Sequence, residues 1–235
     1  MTFIGVIPAR GGSKGIPRKN LALCAGKPLL AWTAEAACGC KRLQRTVLST
    51  DDEEIAAAGR MLGLEVPFLR PSELAHDDTP MLDVLQHLLN WLEANDAKPD
   101  ALVLLQPTSP LRRAEHIAAA LRLFEEKRAA TVVSVTAVPH QFTPGSVMEM
   151  ADGRLTPWLK EQTPVLRRQD KPRLYARNGP AILITRAEVL RAGRLYGEPT
   201  LGYEMSAGDS IDVDGPEELQ LAEAVLKARR EGAAV

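Results

Sequence analysis

The sequence has almost no net charge, and this balance excludes the strongly basic profile of a general nucleic-acid binder. Its 235 residues include 29 lysines and arginines against 30 aspartates and glutamates, a formal net charge of −1. A protein that binds nucleic acid through the phosphates usually has a clear excess of cations. We therefore expect no nucleic-acid partner, and any anionic ligand must be met by a local group of cations.

Cysteine is also scarce. Cys24, Cys38 and Cys40 form an odd set, and neither a second cysteine pair nor a histidine cluster completes a zinc site around the C-x-C pair. This pattern predicts reduced thiols and argues against both a disulfide framework and a structural zinc ion.

Long hydrophobic runs are missing too. No segment approaches the ~20 apolar residues that a membrane helix needs. The first residues, MTFIGVIPAR, lack a basic region followed by a long apolar one, so they do not predict a secretory signal. We expect a soluble cytoplasmic protein with no membrane partner.

What the sequence does contain is an alternation of apolar strand-like segments with helix-like segments, from residue 2 to residue 138. The predicted strands are residues 2–8, 45–50, 65–69, 101–106 and 130–138. The predicted helices between them are residues 26–38, 51–63, 79–92 and 113–127. Strands that are apolar throughout are typical of parallel sheets covered on both faces. The pattern predicts an α/β fold, a mostly parallel sheet with helices on both faces.

This alternation stops at Pro139. Residues 139–172 contain five prolines and an Asp152-Gly153 turn signal, yet they are too apolar for a linker. They predict an inserted hairpin or small subdomain, which either contacts another subunit or folds back as a lid. The sheet resumes at residues 181–185, and residues 216–230 form the closing helix. We thus divide the chain into an α/β domain (1–138 and 173–235) and an insertion (139–172).

The segment PARGGSKGIPRKN, residues 8–20, follows the first predicted strand and gathers cations among glycines. Its cations are Arg10, Lys14, Arg18 and Lys19. Glycines allow backbone N–H groups to approach phosphate oxygens, and ligands of open α/β sheets lie beyond the carboxyl ends of the strands. Neither the Walker A pattern nor the dinucleotide fingerprint G-x-G-x-x-G is present. We predict a polyphosphate-binding loop of a third kind; the alternative is a solvated basic turn.

The segment DSIDVD, residues 209–214, is the acidic counterpart. On extended backbone, Asp212 and Asp214 point to one side while Ile211 and Val213 point to the other. Two convergent carboxylates suit Mg²⁺, which also takes phosphate oxygens and water. The run Asp214-Gly215-Pro216 resembles a helix N-terminus as well, so a capping role for Asp214 is the alternative.

At these motifs the sequence is similar to the acylneuraminate cytidylyltransferases, the CMP-sialic acid synthetases. The segments that carry the resemblance follow in the family's order and span nearly the whole chain: ARGGSKGIPRKN, STDDEEIA, LRPSELAHDDTP, LLQPTSPLR, RRQDKPRLYARNG and DSIDVD. The resemblance implies a Mg²⁺-dependent reaction of CTP with a nine-carbon 2-keto acid sugar, giving CMP-sugar and pyrophosphate. It also implies a Rossmann-like domain of the nucleotide-diphospho-sugar transferase type and a homodimer formed through residues 139–172.

The resemblance further implies a set of site residues. Those expected at the nucleotide are Arg10, Gly11, Gly12, Ser13, Lys14, Lys19, Asn20 and Arg70. Those expected at the sugar are Gln106, Arg168, Gln169 and Asn178, with Arg168 and Gln169 reaching the sugar site from the insertion. Asp212 and Asp214 would bind Mg²⁺, and with Arg10 and Lys19 they form the expected catalytic set. We interpret the four histidines as helix or loop residues, since no Ser-His-Asp or Cys-His set is needed.

The sequence departs from the family pattern at Met81, where some relatives have serine, and at Pro180 and Leu183, where relatives often read NGAIYI. These departures leave the sugar open: legionaminic, pseudaminic or another ulosonic acid is the alternative to sialic acid. An alternative from another class is a GT-A glycosyltransferase, which also combines a Rossmann-like sheet with a D-x-D motif.

Overall fold

A computed structural model describes residues 1–159 and 172–232 of the chain. The described residues form eleven strands: β1 (Phe3–Pro8), β2 (Leu23–Cys24), β3 (Lys27–Pro28), β4 (Arg45–Ser49), β5 (Ala101–Leu104), β6 (Thr131–Ala137), β7 (Met148–Ala151), β8 (Arg154–Pro157), β9 (Tyr175–Arg177), β10 (Leu183–Arg186) and β11 (Thr200–Glu204). They also form six α-helices: α1 (Leu29–Gly39), α2 (Glu53–Met61), α3 (Met81–Ala94), α4 (Ala114–Glu126), α5 (Ala187–Arg191) and α6 (Pro216–Arg230).

The central sheet has the strand order β11-β6-β10-β5-β1-β4, with β9 paired to β6. The pairs β1–β4, β1–β5 and β6–β11 are parallel, whereas β10 runs antiparallel to both β5 and β6. Five strands therefore share one direction, and β9 and β10 oppose them. The predicted mostly parallel sheet is confirmed. The carboxyl ends of β1, β4 and β5 lie side by side, which brings the loops that follow them to one edge.

Helices cover both faces of this sheet. On one face Leu30 of α1, Ile55 of α2 and Phe124 of α4 pack with Ile7 in one buried cluster. On the other face Leu88 of α3 belongs to a second buried cluster with residues of β1 and β5. Because both faces are covered, the central strands β1 and β5 are apolar and buried almost throughout, as the sequence pattern predicts.

The insertion contains a two-stranded hairpin, β7–β8, in the part that the structure describes. Its turn is the predicted Asp152-Gly153 pair, with φ of 51° and 76°, so that prediction is confirmed. Such left-handed backbone at both turn positions is typical of a tight hairpin. Residues 160–171 of the insertion lie outside the described residues, and the proposed domain division stays a prediction.

Some elements differ from the sequence prediction. Residues 65–69 form no strand and contribute only an isolated bridge between Glu65 and Val47. The short elements β9, β11 and α5 were not apparent in the sequence pattern, because polar residues interrupt them and they lack the apolar run that marks the equally short β5 and β10. None of the helices in residues 1–159 and 172–232 is long and apolar enough to cross a membrane.

Candidate active site

The basic loop leaves β1 at Pro8 and lines a cavity of about 380 Å³ at the carboxyl edge of the sheet. The backbone N–H of Gly11 donates a hydrogen bond of 3.0 Å to Asp51, which follows β4. The side-chain amide of Asn20 donates at 3.0 Å to the carbonyl oxygen of Arg10 and so ties the end of the loop to its beginning. The loop is thus fixed at both ends, and its glycine-rich middle faces the cavity.

The cations of the loop point in two directions. Arg10, Lys14 and Lys19 line the cavity. Arg18 does not: its guanidinium donates to Asp52 at 2.8 Å and pairs with Glu54 at the start of α2. The prediction that all four cations bind polyphosphate is therefore wrong for Arg18, whose left-handed backbone (φ 52°) turns its side chain toward α2.

The acidic segment lies against the basic loop. The ammonium of Lys19 donates to the carbonyl oxygen of Val213 at 3.0 Å and lies 3.4 Å from the carboxylate of Asp214. Asp214 lines the same cavity as Arg10. The structure therefore brings the front and the end of the chain together at one site.

Asp214 does not cap α6. The N-cap residue is Gly215, Pro216 follows at the first helical position, and Glu218 accepts the N–H of Gly215 at 2.9 Å. The capping interpretation of Asp214 is thus wrong. Because Glu218 supplies the cap, the Asp214 carboxylate is left for a ligand, and its side chain is 80% exposed.

Asp212 sits deeper than Asp214 and does not itself line the cavity. Its Cγ lies 3.4 Å from the position that a Cβ on Gly179 would take. Burial raises the pKa of Asp212, and the negative charge of Asp214 adds to this, while Thr108 and Lys19 act in the opposite sense. Among the described residues its Oδ1 is buried without a hydrogen-bond partner. A buried unsatisfied carboxylate oxygen beside a second carboxylate suits a cation.

Arg70, from the segment between α2 and α3, and Gln106, which follows β5, also line the cavity. Arg70 is 5% exposed, and burial lowers the pKa of its guanidinium, an effect that Asp51 at 3.8 Å offsets. Among the described residues its Nε has no hydrogen-bond partner, so a donor is left over. The side chain of Gln106 donates to the carbonyl oxygen of Gly179 at 3.4 Å.

The other residues expected at the sugar are placed differently. Asn178 is 5% exposed; its amide oxygen accepts from Ser134 and its amide nitrogen donates to Ser210. Asn178 therefore holds the backbone near the site from inside, and its contact with a sugar stays a prediction. Arg168 and Gln169 lie outside the described residues.

The structure also separates the three departures from the family pattern. Met81 lines the cavity. Leu183 is buried in the core and pairs with Leu104 of β5, so it serves packing. Pro180 follows a cis peptide bond from Gly179. Of these residues, Met81 is the one placed to touch a ligand in the cavity.

Two titratable residues that line the cavity escaped the sequence analysis. His76 lines the cavity, although it was grouped with the other histidines as a plain loop residue. Asp77 lines it too, and its carboxylate forms ion pairs with Arg10 and Lys14. Both lie in LRPSELAHDDTP, one of the segments that carry the family resemblance. That resemblance was the signal that could have identified them as site residues.

Comparisons with known proteins agree with this arrangement. A family model described as cytidylyltransferase matches residues 4–192. The CMP-N,N'-diacetyllegionaminic acid synthase of Legionella pneumophila is 32% identical over 98% of this chain and 99% of its own length. The N-acylneuraminate cytidylyltransferase of Escherichia coli is 30% identical over 94% of this chain, and that of Streptococcus agalactiae is 33% identical over 91%. This chain spans about half (51%) of the length of each of those two relatives.

Solved structures support the fold. A CMP:2-keto-3-deoxy-manno-octonic acid synthetase complexed with CTP matches with a TM-score of 0.72 and 19% identity, over 97% of this chain and 100% of that one. A 4-diphosphocytidyl-2C-methyl-D-erythritol synthase from Anaerococcus prevotii matches with a TM-score of 0.63 and 12% identity, over 96% and 98%. The architecture is that of the nucleotide-diphospho-sugar transferases, as predicted.

Proposed function

The chain belongs to the cytidylyltransferase family, and we propose that it joins CTP to a nonulosonic acid, a nine-carbon 2-keto acid sugar. The anomeric hydroxyl attacks the α-phosphorus of CTP, the new C–O–P bond forms, and the bond to the β-phosphate breaks to release pyrophosphate. The observation that carries this proposal is the meeting of Lys19 with Asp214, at 3.4 Å, on a cavity that Arg10 and Gln106 also line. The family favours this reaction over the glycosyltransferase alternative.

The cations of the basic loop would stabilise the leaving group. Transfer of a nucleotidyl group needs little covalent chemistry from the protein and depends on positioning and on charge stabilisation. Arg10 offers a planar fork and Lys14 and Lys19 offer point charges, all on the same cavity. Gly12 and Ser13 line the cavity and offer backbone N–H groups of the kind that cradle phosphate oxygens, whereas the N–H of Gly11 is donated to Asp51.

Cytidylyltransferases of this kind are generally dependent on a divalent metal, and the residues present fit Mg²⁺. Asp212 contributes a buried oxygen without a partner among the described residues, and Asp214 contributes a carboxylate that no helix cap occupies. Mg²⁺ needs only one or two carboxylates, because phosphate oxygens and water complete its coordination. Bound Mg²⁺ would supply positive charge at the α-phosphate.

The sugar side of the cavity is proposed to begin at Gln106, with Asn178 holding the neighbouring backbone. Arg168 and Gln169, from the insertion, are proposed to complete it. Within the class, a diacetylated legionaminic acid is the second candidate beside sialic acid. It is favoured by the Legionella relative, which this chain matches over 99% of that protein's length.

A screen of pyrophosphate release tests the proposal. The protein is given CTP and Mg²⁺ with N-acetylneuraminic, legionaminic, pseudaminic and eight-carbon ulosonic acids in parallel, and UTP and ATP replace CTP as controls. We expect release with CTP and one nine-carbon acid, and little with the other nucleotides. If pyrophosphate appears with none of these acids, the proposed function is wrong.

We also propose that the hairpin β7–β8 contacts a second copy of this chain. Within residues 139–159, the part of the insertion around the hairpin that the structure describes, the exposed large apolar residues are Phe142, Val147, Met148, Met150, Leu155 and Trp158. Contiguous exposed apolar surface typically marks an interaction site. A Met150→Asp variant should sediment as a monomer where the unmodified protein is a dimer; Met61→Asp, at an exposed methionine of α2, should not change the mass. The same mass for all three proteins would contradict this proposal.

The cytoplasmic location stays a prediction.

A further inference from the structure

An internal carboxylate occupies the cations that are proposed to bind the phosphates. Asp77 forms an ion pair with the Arg10 guanidinium, and its other oxygen lies 2.6 Å from the Lys14 ammonium. It lies in the segment between the 3₁₀ turn Ser72–Leu74 and helix α3, and it lines the cavity. One carboxylate therefore bridges two cavity-lining cations of the basic loop.

The other acidic residues near the loop do not bridge two of its cavity-lining cations, and among the described residues Asp214 pairs with Lys19 alone. Asp51 accepts the N–H of Gly11, and Asp52 accepts from Arg18 while it caps α2. Within residues 1–159 and 172–232, Asp77 is the acid whose ion pairs are both with cations assigned here to phosphate. Asp78, its immediate neighbour, is exposed and has no ion pair in the same described ranges.

The geometry of this contact is suited to exchange. A carboxylate offers two oxygens to Arg10 and Lys14 much as a phosphate group would, and it uses the same N–H donors. The two cations hold the pKa of Asp77 below its usual range, so this carboxylate is ionised at neutral pH. The Lys14 side chain is 82% exposed and that of Asp77 is 40% exposed, and ion pairs this open to water are weak enough to be displaced by a polyphosphate.

We propose that Asp77 is a built-in counter-ion that occupies the subsite for the β- and γ-phosphates between turnovers, gives way to CTP, and returns as pyrophosphate leaves. This inference rests on the proposed function and adds a residue to it. Asp77 then opposes binding of every ligand that needs Arg10 and Lys14, and it leaves unaffected any ligand that does not reach them. CTP and pyrophosphate belong to the first group, and CMP, which lacks the β- and γ-phosphates, to the second.

The test is equilibrium binding without sugar, by calorimetry, for Asp77→Asn with CTP, pyrophosphate and CMP. We expect the Kd values of CTP and pyrophosphate to fall about two- to fivefold, the scale of a solvent-exposed ion pair, and that of CMP to stay the same. The matched control is Asp78→Asn, which should change none of the three. Asp77→Ala, which leaves no amide to bond with Arg10, should give the same order of effects.

Two outcomes would overturn the proposal. If neither Asp77 variant binds CTP and pyrophosphate more tightly than the unmodified protein, the carboxylate does not compete with phosphate for Arg10 and Lys14. If the Kd values of CTP, pyrophosphate and CMP all fall by the same factor, Asp77 acts outside the subsite for the β- and γ-phosphates, because CMP does not reach that subsite. In turnover we expect a lower KM for CTP together with stronger inhibition by pyrophosphate.

The binding of inorganic pyrophosphate keeps this inference separate from the proposed function. If Asp77→Asn binds pyrophosphate more tightly but the protein turns over no sugar, the counter-ion role is supported and the proposed reaction is contradicted. If turnover is normal but pyrophosphate binding is unchanged, the reaction is supported and the role of Asp77 is contradicted.

Discussion

Gly15 and Asp214 pack so closely that a Cβ built on residue 15 would lie 2.2 Å from the carbonyl oxygen of Asp214. Real Cβ atoms essentially never approach another heavy atom within 3.0 Å, so no other residue fits here without a backbone shift. The contact sets how closely the basic loop approaches the acidic segment. It also explains why Lys19 can reach both Val213 and Asp214.

A Gly15→Ala variant should therefore separate the two segments and lower kcat/KM by about tenfold or more, since a displacement of about 1 Å at reacting groups can cost 10²-fold. Steady-state kinetics and circular dichroism would show lost activity in a folded protein. Gly145→Ala is the comparison, because a Cβ there meets nothing within 4 Å and residue 145 does not line the cavity. If Gly15→Ala is no worse than Gly145→Ala, the close approach does not matter to the reaction.

Removal of the Lys19 ammonium tests its place in the site. Lys19→Ala should lower kcat by a factor on the order of 10²–10³, the range for one group that stabilises charge in a transition state. The thermal midpoint should change little. Lys41→Ala, at an exposed lysine between α1 and β4, serves as the control. A rate near that of the unmodified enzyme would remove Lys19 from the catalytic set.

The metal prediction can be separated from helix capping, because different residues carry the two roles. Asp212→Asn should shift the Mg²⁺ titration of activity to at least about tenfold higher concentration, since an amide is a weaker ligand than a carboxylate. Glu218→Ala should leave that titration in place and cost about 1 kcal/mol of unfolding free energy through the lost cap of α6. An unchanged titration for Asp212→Asn would contradict the metal role.

The sequence predicts the sheet and its long helices, because these follow from apolar periodicity, and the resemblance of its motifs to those of a known family predicts that the basic and acidic segments share one site. It does not predict which way neighbouring side chains point. Arg18 and Lys19 are adjacent cations, but the left-handed backbone at Arg18 sends one to α2 and the other to the cavity. The capping of α6 by Gly215 could have been found from Pro216, which occupies the first helical position.

Contacts between distant loops are the second limit. The Asp77–Arg10 ion pair joins two segments that carry no pairing signal, and it depends on how α3 packs. The antiparallel strand β10 is a further case, since a short apolar segment does not encode its direction. Such features arise from tertiary packing and become visible only in three dimensions.

The buried guanidinium of Arg112 is held by hydrogen bonds to uncharged acceptors. It is 2% exposed, has no ion pair within the described residues, and donates to Gln106 O at 3.1 Å, Ala181 O at 2.7 Å and Thr33 Oγ1 at 2.6 Å. Burial lowers the pKa of Arg112 to about 9. It ties α1 to the carboxyl end of β5 and to the segment before β10.

An Arg112→Met variant should lose about 2–4 kcal/mol of unfolding free energy, because three buried acceptors lose their donor and only part of this is recovered from the desolvated charge. Urea denaturation measures it. Arg122→Met, on the exposed face of α4, should stay within about 0.5 kcal/mol of the unmodified protein. If Arg112→Met is as stable as the unmodified protein, the free energy lost by burying the charge equals the free energy gained from its three hydrogen bonds.

His116 predicts how stability depends on pH. Burial lowers its pKa from the ordinary 6.5, and Arg113 adds to this, while Asp209 opposes it. Between 6.5 and the lower folded-state pKa the unfolded chain binds more protons, so the free energy of unfolding must fall as the pH falls through this window. His87, whose pKa burial also lowers, contributes with the same sign.

Urea denaturation at pH 7.5, 6.5 and 5.5 should therefore show stability declining with acidity, and His116→Asn should flatten the decline without abolishing it. His140→Asn, at an exposed position in the insertion, is the control and should keep the slope of the unmodified protein. If His116→Asn leaves the slope unchanged, the imidazole takes up its proton as readily in the folded protein as in the unfolded chain. The contacts of His116 with Arg113 and Asp209 would then have no net effect on its titration.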